Sequence, residues 1–129
     1  MTSVVITGSR DWPITKAHLI WEALRKIHDY HMEDWHWTGL ELHHGECYTG
    51  GADLVGASWA AGAGWEVIPH PPVIPKGWAL AERNQKMIDL MPDYVVVCYL
   101  GAVKGRGTQM TYDMAIAAGL KDRIIEVRG

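Results

Sequence analysis

The sequence contains no phenylalanine and only two cysteines among its 129 residues. Two cysteines cannot build the disulfide framework that small secreted domains use, so a reducing compartment is expected. The longest apolar run, residues 94–103, covers roughly half of the span that a transmembrane helix needs. The N-terminal segment has no basic opening and reaches glycine too early for a signal peptide. These absences predict a cytoplasmic protein without a membrane partner.

The sequence also lacks an excess of positive charge. Twelve Lys and Arg residues stand against 15 Asp and Glu, which gives a formal net charge of −3. That balance is not the electrostatic footprint of a protein that works on nucleic acid. Apolar residues make up 48% and charged residues 21%, which excludes general disorder. A chain of this length can bury one core, and we expect a single domain over residues 1–129.

Two standard signatures of ligand sites are missing as well. Neither the G-x-G-x-x-G dinucleotide fingerprint nor the G-x-x-x-x-G-K-[ST] phosphate loop occurs in the sequence. His43, His44 and His70 lack the H-x-x-x-H and H-E-x-x-H spacings, and no acidic cluster accompanies them. The sequence therefore predicts no metal site and no cofactor. Cys47 would be a nucleophile only with a base beside it, and Cys98 is expected to be a buried strand residue.

What the sequence does contain is a regular alternation of two patterns. Short apolar runs bounded by glycine or proline predict strands, and longer segments with apolar spacing of three and four residues predict helices. Thr15 is a candidate N-cap of the first helix. The order β-α-β-α-β-α-β-α-β is typical of an α/β domain with a five-stranded, mostly parallel sheet and helices on both faces. We expect strands near residues 4–6, 40–43, 65–68, 94–99 and 123–127, and helices near 15–30, 52–63, 79–90 and 108–118.

Three glycine-containing loops follow the first, second and fourth predicted strands. In an open sheet of order 3-2-1-4-5, the winding reverses between the first and fourth strands, and ligands bind beyond the carboxyl ends there. The loops are residues 8–12, 45–53 and 101–108, and a helix follows each of them. Helix N-termini favour anions, above all phosphate. The sequence therefore predicts a phosphate-bearing ligand held by three loops.

The candidate ligand-binding residues come from these loops. Their glycines let backbone amides approach a ligand, and their arginines would add charge-assisted hydrogen bonds. Lys104 lies in the third loop and is another cation of this kind. Asp53 has two interpretations, a contact to a ribose hydroxyl or an interaction with its own loop and helix dipole. The remaining candidates are Gly8, Ser9, Arg10, Gly50, Gly51, Gly105, Arg106, Gly107 and Thr108.

The same loops carry a family resemblance. Residues 4–12 read VVITGSRDW, residues 44–53 read HGECYTGGAD, residues 70–71 read HP, residues 83–87 read RNQKM and residues 105–108 read GRGT. In this order the segments resemble the SLOG superfamily, which includes the DNA-processing protein DprA and the "lonely guy" phosphoribohydrolases. The resemblance implies a three-layer Rossmann-like fold and a nucleotide or nucleotide-derived ligand.

The resemblance also implies a catalytic alternative. The family's phosphoribohydrolases cleave the N-glycosidic bond of a nucleoside monophosphate with an arginine on the R-[KN] helix and a glutamate in G-G-x-G-T-x-x-E. Arg83 occupies the first position, and Thr111 occupies the second. An oxocarbenium-like state needs a nearby carboxylate, so this substitution removes the main catalytic group. Asp113 lies about 200° further round the helix and does not replace it.

We therefore expect a domain that binds or senses a nucleotide-like small molecule. The alternative is a phosphoribohydrolase-like enzyme that uses Arg83. A second alternative, binding of single-stranded nucleic acid after the manner of DprA, is disfavoured by the negative net charge. The small residues of the second predicted helix would permit a homodimer, although the same face is also needed to pack on the sheet.

Overall fold

A computed structural model describes residues 1–33, 39–45, 51–74 and 77–129 of the chain. Five strands form one sheet in the order β3-β2-β1-β4-β5, and all four pairings are parallel. The strands are β1 (Thr2–Gly8), β2 (Leu40–His44), β3 (Glu66–Pro69), β4 (Tyr94–Tyr99) and β5 (Ile124–Arg128). The predicted α/β class and strand order are confirmed.

Four helices cover the two faces of the sheet. They are α1 (Ala17–Met32), α2 (Ala52–Gly62), α3 (Gly77–Asp89) and α4 (Arg106–Ala117). The helices α1 and α2 pack together against one face, and α3 and α4 pack together against the other. The resulting three layers form a Rossmann-like domain. No helix in the described ranges is long and apolar enough to cross a membrane.

The central strands are buried on both faces, which explains their nearly continuous apolar sequence. Residues 95–98 of β4 have no exposed surface. On the α1 side, the predicted stripe of Ile20, Leu24 and Ile27 packs with Val4 and Ile6 of β1. On the α4 side, Ala115 packs with alternate residues of β4. The period of the apolar residues therefore determines which face each element buries.

Three helix starts differ from the sequence prediction. Thr15 is not the N-cap of α1, because residues 14–16 form a 3-10 turn and the cap position falls on Lys16 without a side-chain cap. The helices α3 and α4 each begin two residues earlier than expected, at Gly77 and Arg106. The earlier start of α4 places Arg106 and Gly107 in its first turn, although we expected both in the loop before the helix.

Parallel pairing places the ends of all five strands at one edge of the sheet, here called the carboxyl edge. The chain leaves this edge after β1 at Gly8, after β2 at His44 and after β4 at Tyr99. The helices that follow β2 and β4 begin there, at Ala52 and Arg106. The described residues of the three loops singled out in the sequence therefore lie on the same side of the molecule.

Candidate functional site

The loop after β1 is joined by hydrogen bonds to both neighbouring elements. The backbone N–H of Ser9 donates to the carbonyl of Cys98 at 3.1 Å, and the N–H of Ala52 donates to the carbonyl of Ser9 at 3.0 Å. The Ser9 Oγ accepts a hydrogen bond from the N–H of Asp11 at 3.1 Å. The ends of β1 and β4 and the start of α2 therefore meet around Ser9.

Two glycines are required for this close approach. A Cβ atom at Gly8 would lie 2.6 Å from the Cys98 carbonyl oxygen and 2.7 Å from the Ala52 Cβ. A Cβ atom at Gly51 would lie 2.6 Å from the Ser9 carbonyl oxygen, and the φ of Gly51 is +87°. Any side chain at these positions would clash with backbone, and at Gly51 it would also be strained. Packing alone therefore explains both glycines.

Asp53 ties the end of β2 to the first turn of α2. Its Oδ2 accepts a hydrogen bond from the N–H of Gly45 at 3.0 Å. Burial raises the pKa of Asp53 to about 6, against the opposing effects of the Gly45 N–H and of the Arg83 and Arg10 charges. Two interpretations of Asp53 were open, a contact to a ribose hydroxyl and an interaction with its own loop. The structure shows the interaction with the loop. A carboxyl with this pKa changes its ionisation within two pH units of neutrality.

Arg83 reaches the carboxyl edge from α3. Its Nη1 donates to the carbonyl of Gly45, and its Nε donates to the Asn84 Oδ1 at 2.7 Å. The guanidinium occupies the space that a side chain at position 45 would need. The structure thus brings Arg83, Gly45 and Asp53 together at the end of β2.

The first turn of α4 is built differently. Gly105 is its N-cap, and no side chain of the described residues caps the helix. Arg106 and Gly107 are exposed, whereas Thr108 is buried. Thr111, which stands where the hydrolases carry glutamate, is fully buried and donates its hydroxyl to the carbonyl of Gly107 at 3.2 Å. The start of α4 therefore presents backbone and the Arg106 side chain to solvent.

Lys104 has internal partners and does not extend towards the other loops. Its Nζ lies 3.0 Å from the Glu126 Oε1, 4.3 Å from the ring centre of Tyr112 and 4.7 Å from that of Tyr99. The hydrogen bond that Lys104 donates to Glu126 is the largest cause of the raised pKa of Lys104. These contacts tie the loop after β4 to the edge strand β5.

The other residues considered in the sequence differ in their surroundings. Gly50 and Cys47 lie outside the described residues. Arg10 is exposed after β1. Trp12 is buried, with its indole N–H donating to the carbonyl of Lys16 at 3.0 Å, and so covers the end of the core. The thiol of Cys98 is buried, and burial raises its pKa far above the usual range.

Sequence reasoning missed a row of three side chains that are joined by hydrogen bonds. The His43 Nε2 lies 3.1 Å from the Glu41 Oε1, and the His43 Nδ1 lies 2.8 Å from the His70 Nε2. His70 lines a cavity of about 230 Å³ together with Arg83. A signal was present in β2, because Glu41 and His43 are polar residues at alternate positions of a strand whose other residues are mostly apolar. No group of three metal-ligating side chains occurs within the described ranges.

The Rossmann-like sheet, with helices α2 and α4 beginning at its carboxyl edge, defines the structural class of the protein. Residues 2–77 match the model of the YspA, cpYpsA-related SLOG family, and the chain belongs to that family. The matched segment covers β1, β2 and β3, whereas Arg83 and α4 lie beyond it. Neither a curated protein nor a solved structure shows a significant match.

Proposed function

We propose that this protein binds a nucleotide or a nucleotide-derived phosphate ligand at the carboxyl edge, with the phosphate between the N-termini of α2 and α4. Membership of a SLOG family is compatible with nucleotide-related binding or processing. In open parallel sheets, ligands bind at the crevice where the winding reverses, which here lies between β1 and β4. The phosphate would contact the loop after β1 and the first turns of both helices.

The observation that carries this proposal is the empty space beside Gly107. A Cβ atom built there meets no atom of the described residues within 4 Å, and its φ is not in the left-handed region. A glycine inside a helix costs about 1 kcal/mol relative to alanine. Neither packing nor backbone conformation requires glycine at this position. Close approach of a ligand to the backbone would account for a glycine at this position.

The helix N-termini and two arginines supply the positive charge that a phosphate needs, whereas Asp53 in the first turn of α2 has the opposite sign. Both α2 and α4 begin with glycine N-caps, and the described residues supply neither with a side-chain cap. Amides in a first helical turn lack intrahelical partners and lie at the positive end of the helix dipole. Arg10 and Arg106 are exposed at the same edge and would donate charge-assisted hydrogen bonds to a phosphate.

Isothermal titration calorimetry with adenosine and guanosine 5′-monophosphates, their nucleosides and inorganic phosphate tests the proposal. We expect the nucleotides to bind more tightly than the nucleosides. Arg10→Gln and Arg106→Gln should each weaken nucleotide binding about tenfold, as loss of one charge-assisted contact would. Arg25→Gln, which removes an exposed charge in the middle of α1, is the matched control and should bind normally. Equal affinities in all variants, or no binding, would overturn the proposal.

A further inference from the structure

We propose that the contact between His43 and His70 is an acid-sensitive switch, which holds residues 70–74 against β2 while one of the two facing nitrogens lacks a proton and releases them when both carry one. These residues lead from β3 towards α3. The proposal assigns a response to pH. It goes beyond nucleotide binding and does not rest on it.

The pairing of β2 with β3 brings the two rings together. His70 directly follows β3, and its backbone N–H donates to the carbonyl of His44 at 2.8 Å. The His70 Nε2 lies 2.8 Å from the His43 Nδ1, with 5.1 Å between the ring centres. At this distance one nitrogen donates and the other accepts, so the two nitrogens share a single proton. If both carried a proton, neither could accept, and two positive rings would face each other.

Glu41 determines which ring takes up the first proton. Its Oε1 lies 3.1 Å from the His43 Nε2, so the carboxylate favours positive charge on His43. A His43 imidazolium can donate from Nε2 to Glu41 and from Nδ1 to a neutral His70. The contact therefore survives the first proton. The second proton, which His70 must take, breaks it.

The surroundings oppose this second proton as long as the contact is closed. Partial burial is the largest cause of the lowered pKa of His70, and the charges of His43, His44 and Arg83 act in the same direction. After release, His70 would regain the ordinary histidine pKa of 6.5. Release therefore takes up a proton, so the closed contact is favoured at high pH and loses stability as the pH falls below that value.

The switch acts on one wall of a cavity. Three of the four residues 69–72 are prolines, which have no N–H, so His70 carries the only backbone donor among them. These residues and side chains of α3 line a cavity of about 230 Å³. On the α3 side, Lys86 and Glu82 are paired at 3.3 Å, and Arg83 adds a positive charge. Release of residues 70–74 would open this cavity to solvent.

Hydrogen exchange measured between about pH 8 and pH 5 tests the switch, because ordinary histidines change their charge in this range. After correction for intrinsic exchange rates, the opening constant at the amide of His70 should rise as the pH falls. The rise should approach about tenfold per pH unit, which is the limit for uptake of one proton. The amides of β4 are the internal reference and should stay protected. A constant opening at all pH values, or a loss of protection that extends to β4, would overturn the proposal.

Two variants isolate the rings. In His70→Gln the side-chain amide can still donate to His43 but does not titrate, so the opening constant should not rise at low pH. Glu41→Gln keeps an acceptor for His43 but removes the charge that stabilises its imidazolium, so opening should require a lower pH. Both positions are partly exposed, and both variants are expected to fold.

The controls separate this contact from other titrating groups. His18→Gln, which changes an exposed histidine of α1, should behave as the wild type. Asp53, with a pKa of about 6, titrates in the same range but is present in every variant, so the differences between variants report on the histidine pair. A wild-type pH dependence of opening in His70→Gln or in Glu41→Gln would overturn the switch.

Discussion

The two halves of the carboxyl edge use glycine for opposite purposes. In the half formed by the ends of β1 and β2, a side chain at Gly8 or Gly51 would overlap backbone atoms at 2.6 Å. In the half formed by the loop after β4, a Cβ atom at Gly105 or Gly107 meets nothing within 4 Å in the described parts of the chain. Packing explains the first pair of glycines but does not explain Gly107.

This difference separates the packed scaffold from the proposed ligand site at the same edge. The β1–β2 half is joined by the backbone bonds of Ser9, the Asp53 carboxylate and the Arg83 guanidinium. The β4 half is attached to the edge strand by Lys104, and its helix start remains open. Substitutions of the packed residues of the first half should therefore change stability, whereas substitutions of the exposed Arg10 and of the start of α4 should change binding.

The largest effect is expected for Gly51→Ala. The added Cβ would overlap Ser9 and Arg10 backbone atoms, and the left-handed φ would strain the alanine. Together these should lower the free energy of unfolding by about 3 kcal/mol or more. Urea denaturation measures the loss. Gly62→Ala, at the end of α2 with no neighbour within 4 Å among the described residues, should not destabilise the protein. An unchanged free energy of unfolding in Gly51→Ala would contradict the conclusion that packing requires glycine at this position.

Asp53→Asn tests the electrostatics of the same half. The folded protein holds the Asp53 proton up to a pH of about 6, whereas the unfolded chain releases it near the ordinary carboxyl pKa of 3.8. Wild-type stability should therefore fall, relative to the variant, by up to about 3 kcal/mol between about pH 4 and pH 7. The asparagine oxygen can still accept from Gly45. Denaturation of both proteins at several pH values measures the difference. The opposite result, a wild type that becomes more stable than the variant as the pH rises, would show that Arg83 and Arg10 stabilise the ionised carboxylate of Asp53.

Lys104→Met tests whether the loop after β4 is attached to β5 by this side chain. Loss of the Glu126 bond and of the contacts to two tyrosine rings should cost about 1 kcal/mol of stability. Nucleotide affinity should not change, because Lys104 is turned towards β5. Lys121→Met, an exposed lysine before β5, is the control and should have a smaller effect. A weaker nucleotide affinity of the Lys104→Met variant would show that Lys104 contacts the ligand.

Gly107→Ala should have the smallest effect on stability and the opposite sign. Alanine is the better helix former by about 1 kcal/mol, and there is space for its methyl group, so the protein should become slightly more stable. Binding of nucleoside monophosphates should weaken, because the methyl group would occupy the space of the phosphate. Calorimetry and urea denaturation of the same sample measure both quantities. Unchanged affinity would show that the space beside Gly107 is not used.

Features with a short sequence period could be predicted, and features that depend on side-chain direction could not. The stripe of Ile20, Leu24 and Ile27 and the buried β4 follow from spacing and composition. The orientation of Lys104 towards Glu126 depends on the β4–β5 register, which no local pattern contains. The contact of His43 with His70 likewise depends on the pairing of β2 with β3. Thr15 was misassigned because a 3-10 turn precedes the helix.

Backbone amide shifts of ¹⁵N-labelled protein during titration with adenosine 5′-monophosphate test the central claim most directly. We predict the largest shifts at residues 9–11, 52–54 and 106–108, which lie at the carboxyl edge after β1 and at the starts of α2 and α4. Inorganic phosphate should move a subset of the same amides. Shifts confined to other parts of the chain, or no shifts at millimolar nucleotide, would contradict the assignment of this edge as a phosphate site.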